Sequence, residues 1–453
     1  MTSSISVIIP AYQPGQHLIR CLEALRASDP PPLEILVVED GGKSETLDKV
    51  AAPTTRILRT DRRRGPAFAR NLGAKAARGD ILFFLDADVC VTPNTIARIV
   101  ESFDADPSLD ALMGSYDSEP GSRDFISQYR NLMHSYVHHQ GTQQASTFWS
   151  GCGAIRRELF LEHSGFNERY GRPSIEDIEL GYRLIRAGRK IVLDHTIEVT
   201  HLKRWTFWGV VKTDILDRGI PWTELILRDW CMPNDLNLQL SQRVSVALVF
   251  LLVGLSSAMA IVSGGFLLIP LFAIVFLMLA SWWVELASCR RPRTAYAMFT
   301  CVVAIIALLA YTHRMPGLIA PLLVSPAMLL LTHRYRDHDK VGRILHRFGV
   351  AYILFSMSVA IFYLPVHGLL FAAVPVLVLL GLLNNQFYVF VAAKRSVPFM
   401  LAAIPFHLLY HFYNGVSFII GLVHYSWMAA FARARPQPHP NEPGTSTAGP
   451  PFL

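Results

Sequence analysis

Short apolar runs and helix-spaced apolar positions alternate along the first half of the chain. Residues 5–9, 34–38 and 81–85 are near-continuous apolar runs, and 56–59 is a shorter one. Runs of this length read as buried strands. Leu18, Cys21, Leu22 and Leu25 recur at helical spacing after the first of them. Pro66 is placed to open a helix reaching Gly79. The same reading gives a helix over 94–104, a strand over 111–114 and a long amphipathic segment over 122–139. Residues 191–194 and 197–200 read as a closing hairpin. Strand and helix in alternation predict an α/β domain with a mostly parallel sheet and crossover connections.

From residue 244 the pattern changes to long apolar runs over 246–262, 266–284, 295–311, 318–331, 350–364 and 369–391. Each is near the ~20 residues that span a bilayer, although two are short. Six spans predict an all-α transmembrane domain over 244–431. Its expected inner loops, 285–294, 332–349 and 392–398, carry ten Lys and Arg, against Arg314 alone on the outer connections. That asymmetry agrees with the positive-inside rule and puts the N-terminal part in the cytosol. The stretch 399–431 contains Pro405, His407, His411, Asn414 and Gly415, and reads as two short interfacial helices or one span plus a bend. Residues 432–453, rich in Pro, Gly, Ser and Thr, read as a disordered tail.

Charge changes the picture in one respect. The formal net charge is +7, yet 31 of the 35 acidic residues precede residue 241. The positive excess therefore lies in the apolar half and flanks membrane, which argues against nucleic acid as a partner. Six scattered cysteines without a C-x-x-C pair suggest neither a zinc ribbon nor a redox motif. No basic stretch precedes the first apolar run, so no signal peptide is expected. The chain reads as an integral protein of the inner (plasma) membrane with a reduced, cytosolic catalytic part.

Ligands of parallel α/β sheets bind at the carboxyl ends of the strands. Three loops fall there: Pro10-Ala11-Tyr12, Glu39-Asp40-Gly41 and Asp86-Ala87-Asp88. In extended chain, Asp86 and Asp88 point to the same side. Two such carboxylates suit Mg²⁺ or Mn²⁺ and leave room for substrate phosphates. The plain alternative is a strand running into an acidic turn.

Four stretches in this order and spacing resemble a family 2 glycosyltransferase of the GT-A fold: Ser6-Val7-Ile8-Ile9-Pro10-Ala11-Tyr12, Val37-Val38-Glu39-Asp40-Gly41, Gly65-Pro66-Ala67-Phe68-Ala69-Arg70-Asn71-Leu72-Gly73, and Asp86-Ala87-Asp88. The resemblance covers roughly the first 240 residues. It implies a GT-A nucleotide-sugar-binding domain over 1–204 and inverting transfer from a nucleotide-sugar donor. Pro10, Tyr12 and Asp40 would hold base and ribose, with Glu39 where the family usually has Asp. Asp86 and Asp88 would face the donor diphosphate and its metal, Arg70 would meet donor phosphate, and His201 would be a third metal ligand. The glycine-rich Gly151-Cys152-Gly153 would lie beside the acceptor. Glu176-Asp177 resembles the family's acid pair, with Asp177 the base that takes the acceptor proton.

The residues themselves leave alternatives open at several of these places. Ser174 with Asp177 also fits a capping box, Gly151–Gly153 also fits a tight turn, and His201 also fits a packed core position. Trp205, placed on the acceptor side, opens a segment over 205–243 in which Trp208, Trp222 and Trp230 mix with Lys212, Arg218 and Arg228. This composition suits a membrane interface. The expected partners are thus a nucleotide-sugar, membrane lipids, and a lipid-linked or membrane-delivered acceptor. A sugar nucleotidyltransferase and a non-catalytic nucleotide-binding membrane scaffold are the competing readings.

Overall fold

The computed structural model describes residues 3–45, 47, 53–262 and 367–434. The chain divides into two compact units. The first is formed by residues 1–243 with 393–395 and 413–453, the second by 244–392 with 396–412.

The first unit is built on an eight-stranded sheet in the order β3-β2-β1-β4-β7-β6-β8-β5. Its strands are β1 (Ile5–Ala11), β2 (Glu34–Glu39), β3 (Thr55–Arg59), β4 (Ile81–Leu85), β5 (Val89–Val91), β6 (Ala111–Tyr116), β7 (Cys152–Arg156) and β8 (Ile191–His201). β3, β2, β1 and β4 run parallel. They are joined through α1 (Gln16–Arg26) and α2 (Pro66–Ala76). The apolar runs are continuous because both faces are covered. Ile5, Val7, Ile9, Phe83 and Leu85 pack with Leu18, Leu22, Ile99 and Phe103 on one face. Ile8, Leu36, Leu82 and Phe84 pack with Ala67, Phe148, Phe160, Phe166 and Leu180 on the other. A pleated strand sends successive side chains to opposite faces, so a strand between two helical layers is apolar at every position.

The other half of the sheet departs from the mostly parallel expectation. β7 is antiparallel to both β4 and β6, β6 is parallel to β8, and β5 is antiparallel to β8. The hairpin expected at 191–200 is a single eleven-residue strand. The expected turn falls at His195-Thr196. It is a bulge instead: pairing jumps from Met113↔Leu193 to Ser115↔Glu198, and Asp194 Oδ1 accepts from Thr196 N and Oγ1. α2 also ends at Ala76, before Gly79, because Ala77 is extended.

The remaining helices of this unit are α3 (Thr95–Ala105), α4 (Phe125–Gln140), α5 (Arg157–Glu162), α6 (Glu176–Arg186), α7 (Phe207–Lys212) and α8 (Ile220–Asp229). A π-helical stretch, Thr213–Gly219, joins α7 to α8. α4 starts on a true cap: Asp124 accepts from Ser127 N at 3.0 Å.

α9 (Leu240–Val262), α10 (His367–Leu383) and α11 (Asn385–Lys394) follow in the chain. The apolar parts of α10 and α11 meet at 61°. Asn384 sits at that bend, buried, and donates to Ser245 Oγ and Leu380 O, both at 2.9 Å. The expected spans over 266–284, 295–311, 318–331 and 350–364 lie outside the described residues. The stretch at 399–431 is one 38-residue helix, α12 (Val397–Ala434), not two short ones. Gly415 does not break it, since one interior glycine costs only about 1 kcal/mol. Among the described residues, one helix, over Val397–Phe431, is long and apolar enough to cross a membrane, or two if the bent pair counts as one span.

Candidate functional site

The parallel register of β2, β1 and β4 brings the three expected loops to one edge. Ala11 pairs with Glu39 at the end of β1 and β2, and β4 ends beside them at Leu85. Pro10 stays within β1, and Tyr12 follows it, 45 % exposed. The Arg63 guanidinium lies 4.0 Å above the Tyr12 ring, a cation–π contact that offers a flat, charged platform.

Asp40 fixes the loop that carries Arg63. Its carboxylate accepts from Arg64 N at 2.8 Å and Gly65 N at 2.7 Å. Glu39 is buried and spent inside the fold: Oε2 pairs with Arg59 at 2.9 Å, and Oε1 accepts from Ser44 N. Its extra methylene relative to Asp reaches these partners.

Asp86 and Asp88 reach one cavity, but not by strand alternation. β4 stops at Leu85, and Asp86–Asp88 form a turn into β5, with Val89 N donating to Asp86 O at 3.1 Å. The β5–β8 pairing then seats His201 opposite Val89. Leu202 N donates to Asp88 O at 2.8 Å, and His201 Nε2 stands 3.6 Å from Asp88 Oδ2. The His201 ring stacks on Tyr116 at 4.6 Å. Burial acts to raise the Asp88 carboxyl, but the hydrogen bond and charge of His201, with Lys203, outweigh it and hold Asp88 below the usual range. Asp86 moves the other way. Burial raises it, the Arg70 cation opposes, Asp88 adds to the rise, and the net is upward. Two neighbouring carboxylates shifted in opposite directions at one cavity make it a functional-site candidate.

Arg70 is placed differently from the expectation that it meets donor phosphate. It is 5 % exposed, and its two terminal nitrogens are both engaged. Nη2 donates to Asp86 Oδ1 and Nη1 to Glu176 Oε1, each at 2.8 Å. It ties the end of β4 to the start of α6. Glu176 is buried in that bridge and also accepts from Ser174 N at 2.9 Å. The capping box expected at Ser174 does not form, for Ile175 is the cap residue and has no side-chain bond. Ser174 Oγ instead donates to Asp217 O. Asp177 accepts from Ser150 N and Oγ at 3.0 Å.

The cavity holds about 390 Å³. Arg63, Arg130, Arg172, Lys203, Lys212 and Arg218 line it, against three acids, Asp86, Asp88 and Asp217. Tyr116, Asn131, His134, Ser174, His201 and Trp205 complete most of the wall. Of the expected residues, Asp86, Asp88, His201 and Trp205 meet here, and Tyr12 adjoins through Arg63. Asp177, Glu176 and Gly151–Gly153 are not in the lining. The last group is packing, in place of the expected acceptor-side loop: Cys152 is 1 % exposed in β7. A Cβ on Gly153 would stand 2.3 Å from Trp149 O, and one on Gly151 2.6 Å from the Trp149 ring.

Sequence reasoning missed Arg130, Arg172 and Tyr116. Arg130 has no motif around it. It reaches the site because α4 packs beside β6, and Asp214 grips its guanidinium at 2.6 and 2.9 Å. Asp86, Asp88 and His201 offer two carboxylates and an imidazole along one wall, a donor set that suits Mn²⁺ or Mg²⁺. Among the described residues no three His, Cys, Asp or Glu side chains are placed so that they could by themselves hold a metal ion.

Comparison with known proteins agrees on one class. Residues 6–163, less than half of the chain, match the family model for glycosyl transferase family 2. Succinoglycan biosynthesis protein ExoO of Rhizobium meliloti (strain 1021) is 36 % identical over 104 residues, covering 22 % of this chain and 30 % of that protein. An uncharacterized glycosyltransferase of Haemophilus influenzae is 24 % identical, covering 40 % of this chain and 62 % of its own. The N-acetylglucosaminyl-diphospho-decaprenol L-rhamnosyltransferase of Mycobacterium tuberculosis is 27 % identical, covering 45 % and 77 %. The chain thus spans less than two thirds of the length of the first two relatives.

Proposed function

We propose that the chain is a membrane-bound, metal-dependent glycosyltransferase that moves a sugar, with inversion, from a nucleotide-sugar to a lipid-linked or membrane-delivered acceptor. The observation that carries this is the cavity: a carboxylate pair, Asp86 and Asp88, faces six Lys and Arg side chains, beside the exposed Tyr12–Arg63 platform. The platform suits a nucleotide base, and the cations suit a diphosphate. The family match over residues 6–163 supports the same class.

Asp86, Asp88 and His201 would hold Mg²⁺ or Mn²⁺, which supplies positive charge to a departing diphosphate. Tyr12, Asp40 and Arg63 position the nucleotide. Arg70 acts from behind, keeping Asp86 aimed into the cavity. An acceptor hydroxyl oxygen attacks the anomeric carbon, the bond from that carbon to the diphosphate oxygen breaks with its electron pair, and nucleoside diphosphate leaves. The hydroxyl proton passes to Asp177, which Ser150 N and Oγ hold at the start of α6, next to the Glu176–Arg70–Asp86 bridge behind the cavity. The apolar α12 supports membrane attachment, and the Lys and Arg of the sequence segments 285–294, 332–349 and 392–398 support a cytosolic catalytic unit in the inner membrane.

The test is to incubate the purified full chain with a panel of nucleotide-sugars and follow nucleoside diphosphate release with Mg²⁺, Mn²⁺ or EDTA. Metal-dependent release from one donor, abolished by Asp88→Asn, is the expected result. Pyrophosphate formation would overturn the reading in favour of nucleotidyl transfer, and no turnover with any donor would overturn it in favour of a scaffold.

A further inference from the structure

We propose that Asn131 and His134, one turn apart on α4, form the subsite that reads the hydroxyl groups of the donor's sugar and so set which sugar is transferred. This deepens the glycosyltransferase reading above and rests on it.

The first observation is two polar side chains, each with a buried atom left unpaired. Asn131 and His134 both line the cavity, and their i, i+3 spacing puts them on one face of α4. Asn131 is 2 % exposed. Its Nδ2 donates to Asp117 O at 2.6 Å. A carbonyl oxygen can only face the NH₂ side of an amide, so this bond fixes which way the amide points. Oδ1 is then the atom left over, and among the described residues nothing donates to it. His134 Nδ1 is likewise buried without a partner among the described residues. Buried polar atoms are nearly always paired, because leaving one unpaired costs stability. Two such atoms one turn apart, on side chains that line one cavity, point to a ligand.

The second observation is their chemistry, which separates them from the charged part of the donor. Asn131 Oδ1 only accepts hydrogen bonds. The oxygens of a diphosphate also only accept, so the two cannot pair. Burial, and then the neighbouring His138, Arg218 and Arg130, push the His134 imidazole well below its ordinary 6.5. It is therefore neutral at pH 7, with one nitrogen that donates and one that accepts. The Lys and Arg side chains of the cavity suit phosphate, and these two do not. A partner for both must donate and accept, as a hydroxyl does, and a sugar carries several hydroxyls around one ring.

The third observation is their place. Both residues are keyed to the end of β6. The Asp117 carbonyl anchors Asn131, and the His134 ring packs on Tyr116 at 4.4 Å. Tyr116 stacks on His201 at 4.6 Å, and His201 stands 3.6 Å from Asp88. Two ring contacts thus separate His134 from the residue beside Asp88. In a nucleotide-sugar the diphosphate is bonded directly to the sugar, so a sugar whose diphosphate sits at Asp88 falls within reach of α4. Trp149 backs the same wall, 4.8 Å from both Tyr116 and His134, and holds the rings in place.

The test uses the full chain, with Mn²⁺ present and affinity read by calorimetry. The probes are UDP-, GDP- and dTDP-linked hexoses, each beside its free nucleoside diphosphate. The tightest nucleotide-sugar is then compared with its monodeoxy forms. Asn131→Leu should weaken that nucleotide-sugar by about tenfold or more and leave the free diphosphate within about twofold. His134→Phe keeps a ring, removes both nitrogens and should act in the same direction. It also carries the test if melting shows that Asn131→Leu does not fold. One monodeoxy form should bind the unmodified chain about tenfold more weakly, and that penalty should vanish in the variant whose side chain the hydroxyl meets. A merely structural role would leave every deoxy penalty in place, and that outcome would overturn the proposal. Equal losses of diphosphate and nucleotide-sugar would also overturn it, by putting Asn131 and His134 with the phosphates or the metal. Unchanged nucleotide-sugar affinity with a raised acceptor KM would overturn it in favour of the acceptor. Failure of every diphosphate and nucleotide-sugar to bind the unmodified chain would instead remove the reading on which this one rests.

Discussion

The Tyr413 hydroxyl donates a 2.7 Å hydrogen bond to Asp214 Oδ2, across 199 residues of sequence. Asp214 is buried and grips Arg130 with both oxygens, and Arg130 lines the cavity. The late part of α12 therefore helps to set a cation in the candidate site. Tyr413→Phe removes one hydrogen bond to a charged group and should cost about 2 kcal/mol. Asp214→Ala removes the carboxylate that both terminal nitrogens of the mostly buried Arg130 engage, and should cost about 3–5 kcal/mol. Thermal melting of the two variants checks the order. A Tyr413→Phe variant less stable than Asp214→Ala would contradict the chain of contacts.

Glu34 gives a pH dependence with a definite sign. It is 1 % exposed and accepts from Ser6, Arg56 and the Arg78 backbone at 3.0, 2.7 and 2.7 Å. Burial alone would raise its carboxyl, but those bonds outweigh it, and the carboxyl lies below its ordinary 4.5. A carboxylate depressed on folding stabilises fully above its unfolded value, and that contribution disappears as pH falls through the folded value. Glu34→Gln should therefore be less stable than the unmodified chain by about 2 kcal/mol at neutral pH. The gap should close on acidification below 4.5. Urea midpoints at several pH values measure this, and a gap that widens in acid would refute it.

The cysteines should separate by reactivity. Burial pushes the Cys152 thiol up to about 12, despite a backbone hydrogen bond that opposes the rise. Cys21 is raised well above its usual range, also chiefly by burial. Cys231 is exposed. Since the thiolate is the nucleophile, brief alkylation of the native chain followed by peptide mapping should label Cys231 and spare Cys21 and Cys152. Early labelling of Cys152 would show that β7 opens readily.

Much of the parallel half of the sheet was legible because its signal is local. The runs at 5–9, 34–38 and 81–85 are apolar at every position, and only a strand covered on both faces requires that. The three loops at their carboxyl ends followed from the parallel arrangement. What failed depended on pairing across distance. The glycine-rich start of Cys152–Arg156 resembles a loop, yet it is a strand, since Gly153 admits the Phe148 ring and the Trp149 carbonyl against the backbone. Asp194-His195-Thr196 carries turn chemistry, and only the parallel pairing with β6 shows that it is a bulge. Arg70 was read from its motif as a ligand for phosphate. Its two carboxylate partners come from residues 86 and 176, and nothing in the local sequence announces them. Arg130 gives no signal, because a single Arg on a helix is usually a solvated one, and Arg218 is legible only as part of the Trp- and Arg-rich segment over 205–243.

Gly41 and Gly42 offer the sharpest local contrast. Gly41 has φ +72°, a conformation that side chains disfavour, and a Cβ there would stand 2.1 Å from Arg63 N. The obstacle is backbone, so it cannot swing aside. The loop it would push away is the one that Asp40 holds at Arg64 and Gly65, and that lays Arg63 on Tyr12. Gly42 is different: its nearest contact for a Cβ is Glu39 Oε1 at an ordinary 3.6 Å. Gly41→Ala should therefore lose more than about 1 kcal/mol of stability, and nucleotide affinity should fall with it as the Tyr12–Arg63 platform comes apart. Gly42→Ala should leave both nearly unchanged. Melting temperature and nucleotide titration on the two single variants decide the matter. Equal behaviour of the pair would mean that the loop is not braced as described, and that Tyr12 does not depend on Arg63 for its place.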